Sequence, residues 1–228
     1  MSKIVLIPGL LSDGYVWEPL QALLADRAFV VDLTTQDNIT QMALDCLALD
    51  PGVLRVAGHS MGARVAMEMA RLAPDRVERL ALLDTGIHPL AEGEPAKREA
   101  VIRRAHDEGM DALAADWLPG MVWSENLENA ALMAGLRAMV LRQDADIHER
   151  QIRSLMGRPD AASYLAEITC PTLLMVGRQD KWSPIAQHET MLDLLPDAQL
   201  EIIEDAGHFA PVEQPEAVAR VLAAFLQN

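Results

Sequence analysis

Short apolar runs alternate along this chain with segments whose apolar residues recur every three to four positions. Ile4 to Ile7 is followed by Trp17, Leu20 and Leu24 at i, i+3, i+7 spacing, the buried stripe of a helix. Further runs at Phe29 to Val31, Val53 to Ala57, Leu80 to Leu83, Thr172 to Val176 and Leu200 to Ile203 are of the continuous kind expected when helices cover both faces of a sheet. The alternation predicts βαβ units and about six mostly parallel strands. After the third run, Val65, Met69 and Leu72 mark the inner face of a helix, and Arg64, Glu68 and Arg71 its wet face. The final helix repeats the pattern with Val218, Val221, Leu222 and Phe225.

Between Leu83 and Thr172 the alternation stops. Residues 88–165 read as helices, among them Ala96 to Asp107, Leu127 to Leu141 and Asp146 to Met156, with no strand. The expectation is a single domain with a core of residues 1–87 and 166–228 and a helical insertion after the fourth strand. Such an insertion leaves the carboxyl ends of the strands, where open α/β sheets bind ligands. Trp117, Met121 and Trp123 give it large apolar groups, which favours a lid over a stabilising appendage.

Acidic residues outnumber basic ones 34 to 19, a net charge of −15, which disfavours nucleic acid and anionic membranes and favours a neutral or weakly charged small molecule. Cys46 falls on the apolar stripe Ile39, Met42, Ala43 and Cys46, and Cys170 is the only other cysteine, so no disulfide framework is expected. The apolar N-terminus breaks at Pro8-Gly9 and lacks a small-residue cleavage site, so it reads as a buried strand rather than a signal peptide. With no run long enough to span a membrane, a cytoplasmic location is expected.

The candidate chemistry centres on Gly58-His59-Ser60-Met61-Gly62, between an apolar run and a helix-patterned segment. In a G-x-S-x-G elbow the serine stands on a cramped strand-to-helix turn, and the glycines leave space where a Cβ would collide with backbone. Ser60 would then stand at a helix N-terminus, with the Met61 N–H facing any oxyanion that forms. A serine needs a base. His208 follows the last strand through a short turn and is the candidate; His59, His88, His106, His148 and His188 read as packing or surface residues. Asp180, just past Met175-Val176-Gly177, would orient His208, with Asp84 as the lesser alternative and Asp205 capping its own turn. Ser183 is expected to cap a helix starting at Pro184. The Leu10 N–H, after Gly9, is the second oxyanion donor expected. Leu11, Trp117, Trp123, Trp182 and Phe209 are expected pocket walls. No histidine has metal-ligand spacing.

Assembled, these segments resemble the α/β-hydrolase family from Ile4 to about Leu226, with the elbow serine, the later acid and the C-terminal histidine in the family's order. The resemblance implies a three-layer α/β fold and cofactor-free hydrolysis of carboxylic esters, thioesters or lactones. Carbon–carbon cleavage and cofactor-free peroxidase activity are its minority outcomes. Ser60 excludes the aspartate-nucleophile branches. The chain departs from the pattern in lacking two extra strands before Ile4, in Thr34-Thr35-Gln36-Asp37 where a basic, glycine-rich loop is familiar, in Pro8 where a histidine is frequent, and in Ala63 where a further glycine is common. A non-catalytic ligand-binding protein on the same scaffold is the rival reading.

Overall fold

The computed structural model describes residues 2–227. Its sheet is all-parallel, with β1 (Lys3–Ile7), β2 (Ala28–Val30), β3 (Leu54–His59), β4 (Val77–Leu83), β5 (Thr172–Gly177) and β6 (Ala198–Ile203) in the order β2-β1-β3-β4-β5-β6. Every predicted run is a strand, with ends displaced by up to three residues. β4 opens at Val77, where the polar pair Glu78 and Arg79 hid its start, and Glu78 is bonded by Arg55 of β3 at 2.8 Å. Val53 stands exposed just before β3.

Alternate side chains of each strand point to opposite faces, so the sheet feeds two cores. Ile4 and Leu6 pack with Trp17, with Leu20 of α1 (Glu18–Leu24) and with Leu222 of α8 (Pro215–Gln227). Val5 and Ile7 pack with α2 (Ile39–Ala48), α3 (Met61–Leu72) and Met191 of α7 (Ile185–Leu194). Cys46 is buried in that second core, and burial pushes its thiol up to about 12, so it serves as a small apolar group.

From β1 the chain steps outward to β2, then crosses back so that β3 lies on β1's other side. Strand order reverses between β1 and β3, and a crevice opens above the loops that follow them. Over this end lie α4 (Glu94–Met121), α5 (Ala130–Leu141) and α6 (Ala145–Met156), the helical segment between β4 and β5. α4 runs well past the predicted Ala96 to Asp107. Gly109 takes φ 85 and ψ 168, a conformation open to glycine, and the chain turns a corner and resumes as helix through Trp117. α5 starts at Ala130 rather than Leu127, because the Asn129 side chain caps Leu132 N–H at 3.1 Å and the preceding Ser124–Glu128 is a 3-10 stretch. Among the described residues no helix is long and apolar enough to cross a membrane.

Candidate active site

Ser60 sits between β3 and α3 with φ 54 and ψ −114, a strained conformation for a residue with a side chain. Its N–H donates to Leu83 O at 2.8 Å, and Thr85 Oγ1 donates to its carbonyl at 3.0 Å, so β4 holds the turn. A Cβ on Gly58 would strike the backbone of Gly62 and Ala63, and one on Gly62 the carbonyls of Ile7 and Pro8. Both elbow glycines are therefore required by close backbone approach.

His208, on the loop after β6, has Nε2 2.8 Å from Ser60 Oγ and Nδ1 2.8 Å from Asp180 Oδ2. Asp180 is buried and accepts from Trp182 N–H at 2.8 Å, Ser183 N–H at 2.9 Å and Ser183 Oγ at 2.6 Å. Burial pushes the Asp180 carboxyl up, but the His208 charge and the hydrogen bonds from His208 and Ser183 outweigh it and hold it well below the usual carboxylate range. This occupies Ser183, so the expected cap is corrected: α7 begins at Ile185, with Pro184 as its capping residue and no side-chain cap.

Asp84 does not bond to His208. Its Oδ1 accepts from Gly177 N–H at 2.9 Å, and complete burial raises its carboxyl well above the usual range. His59 packs sideways as expected, stacked on Phe209 at 5.5 Å and donating from Nε2 to His208 O at 2.7 Å. Burial, reinforced by His208, lowers it to about 3, which keeps the ring neutral and fixes that donor. Asp205 contributes its carbonyl, bonded by Asn126 and Gln214, at a positive φ of 56. His188 is a buried packing histidine whose Nε2 accepts from Thr85 N–H at 3.2 Å. His106 pairs with Glu149.

The N–H groups of Leu10 and Met61 engage no acceptor among the described residues, and both residues line a cavity of about 660 Å³ that also exposes Ser60 and His208. Leu11, Trp117, Trp182 and Phe209 line it too. Trp123 does not. Its N–H donates to Glu213 at 2.8 Å and its backbone packs against Gly207, because the chain leaving α4 is fastened to the loop bearing His208. A second correction concerns α3. Arg64 and Glu68, expected on a wet face, are 8% and 0% exposed, because the insertion and α2 cover that face; Thr40 of α2 bonds Glu68 at 2.7 Å. Gln151 escaped the sequence reading, although it stands on the inner stripe of α6 beside His148, Ile152 and Leu155. Its Oε1 accepts from Leu11 N–H at 2.8 Å and its Nε2 donates to Leu33 O at 3.2 Å. Among the described residues no cluster of three or more His, Cys, Asp or Glu could hold a metal ion.

The profile described as the alpha/beta hydrolase family matches residues 4–221. The chain belongs to this family. The alpha/beta hydrolase is 30% identical to a 2-hydroxy-6-oxononadienedioate/2-hydroxy-6-oxononatrienedioate hydrolase of Cupriavidus pinatubonensis, an alignment covering 79% of this chain but 64% of that relative. It is 28% identical to a putative carbamate hydrolase of Pseudomonas savastanoi pv. phaseolicola over 98% of this chain and 93% of the relative. Among solved structures it is similar to a thermophilic esterase from Thermogutta terrifontis in its malate-bound form, with a TM-score of 0.91, 27% identity, and coverage of 100% of this chain and 90% of that one.

Proposed function

We propose that this alpha/beta hydrolase cleaves a small carboxylic ester, or a related thioester or lactone, through an acyl-enzyme on Ser60. The unbroken hydrogen-bonded relay from Ser60 Oγ through His208 to the buried Asp180 carries the reading. His208 Nε2 takes the Ser60 proton as Oγ attacks the carbonyl, then returns it to the leaving alcohol. Asp180 orients the imidazole and stabilises its protonated form. The Leu10 and Met61 N–H groups receive the oxyanion, a task for which their unpaired state beside Ser60 suits them. Water then attacks the acyl-enzyme by the same proton route. No cofactor is needed for this sequence. The helices of residues 88–165 act as a lid whose Trp117 meets Phe209 edge-on at 5.9 Å over the substrate. Two free cysteines accord with a cytoplasmic setting.

Ser60→Ala should abolish hydrolysis of short 4-nitrophenyl esters, and a fluorophosphonate should label the parent protein at Ser60 and leave the variant unlabelled. Parental activity in the variant would overturn the mechanism, and an unreactive Ser60 would favour a ligand-binding role. A second reading, carbon–carbon hydrolysis or enol-lactone opening by the same residues, gains support from the similarity to the relative named for 2-hydroxy-6-oxononadienedioate. Comparing kcat/KM for ester, lactone and dienone substrates separates the two.

A further inference from the structure

Arg64 lies one helical turn beyond Ser60 on α3, is 8% exposed and lines the cavity. Its guanidinium lies among His88, Glu94, Arg158 and Tyr164. Nη2 donates to His88 O at 3.3 Å, while the buried Nη1 has no partner. Two further guanidiniums gather beside it. Arg158 donates to both Glu94 oxygens at 2.8 and 2.9 Å and to the carbonyls of His88, Pro89 and Leu155. Arg98 donates to Glu94 Oε1 at 3.1 and 3.2 Å.

One carboxylate thus serves two guanidiniums, and none serves the third. Burial pushes Glu94 up, but its arginine partners outweigh this and bring it down to about 2, so its charge is fully committed to them. Burial and the repulsion of Arg158 lower Arg64 to about 10, which leaves it a cation at neutral pH. Lys97 and Lys181 add to the basic lining, in a chain whose acids outnumber its bases, while Arg104 is paired with Asp116 and Glu108. His148 also lines the cavity, although its unpartnered Nδ1 is buried away from it.

We propose that Arg64, backed by Arg98 and Arg158, is a carboxylate subsite in the cavity that also exposes Ser60, so that the substrate carries a single anionic carboxylate apart from its scissile carbonyl. The proposal rests on the ester-hydrolase reading. Three guanidiniums gather around the single carboxylate of Glu94 at the cavity wall, and a substrate carboxylate would bring a second anion with the planar geometry that guanidinium donors match. Glu92, Glu94 and Asp116, which share the lining, oppose a more highly charged ligand. The whole-chain charge pointed to a neutral or weakly charged substrate, and the cavity narrows this to a monoanion.

The test compares monomethyl esters of C4 to C7 dicarboxylic acids with methyl alkanoates of equal length, and 4-acetoxybenzoate with its methyl ester, placing the charge on the acyl and leaving-group sides in turn. In at least one series the charged ester should lead by about 10- to 100-fold in kcat/KM, the range of a hydrogen bond between charged groups. Arg64→Gln should collapse that ratio, and Arg64→Lys should retain part of it. A wild-type ratio near one in both series, or a ratio untouched by Arg64→Gln, overturns the subsite while leaving ester hydrolysis intact. Should no ester turn over and no fluorophosphonate react, the hydrolase reading fails separately. Calorimetric titration of Ser60→Ala protein with monomethyl glutarate still decides the subsite. Binding weakened about tenfold or more by adding Arg64→Gln supports it, and binding no tighter than that of methyl pentanoate overturns it.

Discussion

The Glu213 carboxylate grips the backbone on both sides of His208, accepting from Gly207 N–H at 2.9 Å and Phe209 N–H at 3.2 Å through Oε1. Its Oε2 accepts from Trp123 N–H at 2.8 Å and Asn126 Nδ2 at 3.0 Å, and His208 N–H donates to Met121 O at 2.8 Å. The loop that carries the imidazole is therefore tied to the point where α4 ends.

Glu213→Gln should weaken both stability and activity, because each carboxylate oxygen already receives two donors. An amide places an NH₂ against one of those pairs whichever way it is turned. Unsatisfied buried donors cost about 1–3 kcal/mol each, so the urea midpoint should drop and kcat should fall as His208 loses its position. An unchanged midpoint would mean that these bonds contribute nothing net.

Asp180 and Asp84 should respond oppositely to amide replacement. Asp180→Asn removes the acceptor that fixes the His208 tautomer and should cost about 10⁴-fold in kcat. Asp84 makes no bond to His208, burial favours its neutral form, and an asparagine there can still accept from Gly177 N–H, so Asp84→Asn should keep kcat within about tenfold of the parent. Ester hydrolysis assays of the two variants check this, and a reversed order would make Asp84 the acid.

What was legible beforehand followed from local signals. Ser60, Asp180 and His208 each sit where a strand run ends, and backbone crowding requires glycine at positions 58 and 62 whatever the rest of the chain does. Arg64 and Trp123 were misread because their surroundings arise from residues far off in sequence. Arg64 is paired or crowded by His88, Glu94 and Arg158, and Trp123 is drawn aside by Glu213. The single residue Gly109 decides that α4 turns instead of ending, and periodicity alone carries no sign of that. Gln151 did leave a trace, a polar residue on an otherwise inward stripe, but its partner Leu11 is 140 residues away.

Gln151→Ala should lower kcat more than it raises KM. Leu11 is held at φ 55 by the bond from its N–H to Gln151, and Leu10 immediately before it offers one of the two oxyanion donors. Loosening this loop misaims a donor that matters most in the transition state, where one such group is worth about 3 kcal/mol, so a loss of about tenfold or more in kcat is expected. Affinity for a trifluoromethyl ketone inhibitor should fall in parallel. A variant whose KM alone changes would assign Gln151 to ground-state binding.

Stability should fall as pH drops below about 6.5. Burial lowers His59 to about 3 and His148 and His188 to about 4, each from an unfolded value near 6.5. Below about pH 6.5 the unfolded chain binds up to three protons that the folded chain refuses, so stability is lost as pH falls, at up to about 1.4 kcal/mol per pH unit for each histidine. Burial raises Asp84 and Glu213, and these work in the other direction. Folded, they keep protons that the unfolded chain releases above about pH 4 to 4.5, so their contribution is lost as pH rises. Asp180 and Glu94, both lowered, add to the loss at more acid values. Above about pH 6.5 the unfolded histidines also lose their protons, so this acid limb levels off. Urea midpoints measured from pH 5 to 9 should trace this loss, and Asp84→Asn should steepen the acid limb by removing an opposing group. A midpoint that climbs steadily as pH falls from 7 to 5 would show that the buried imidazoles become charged within the fold.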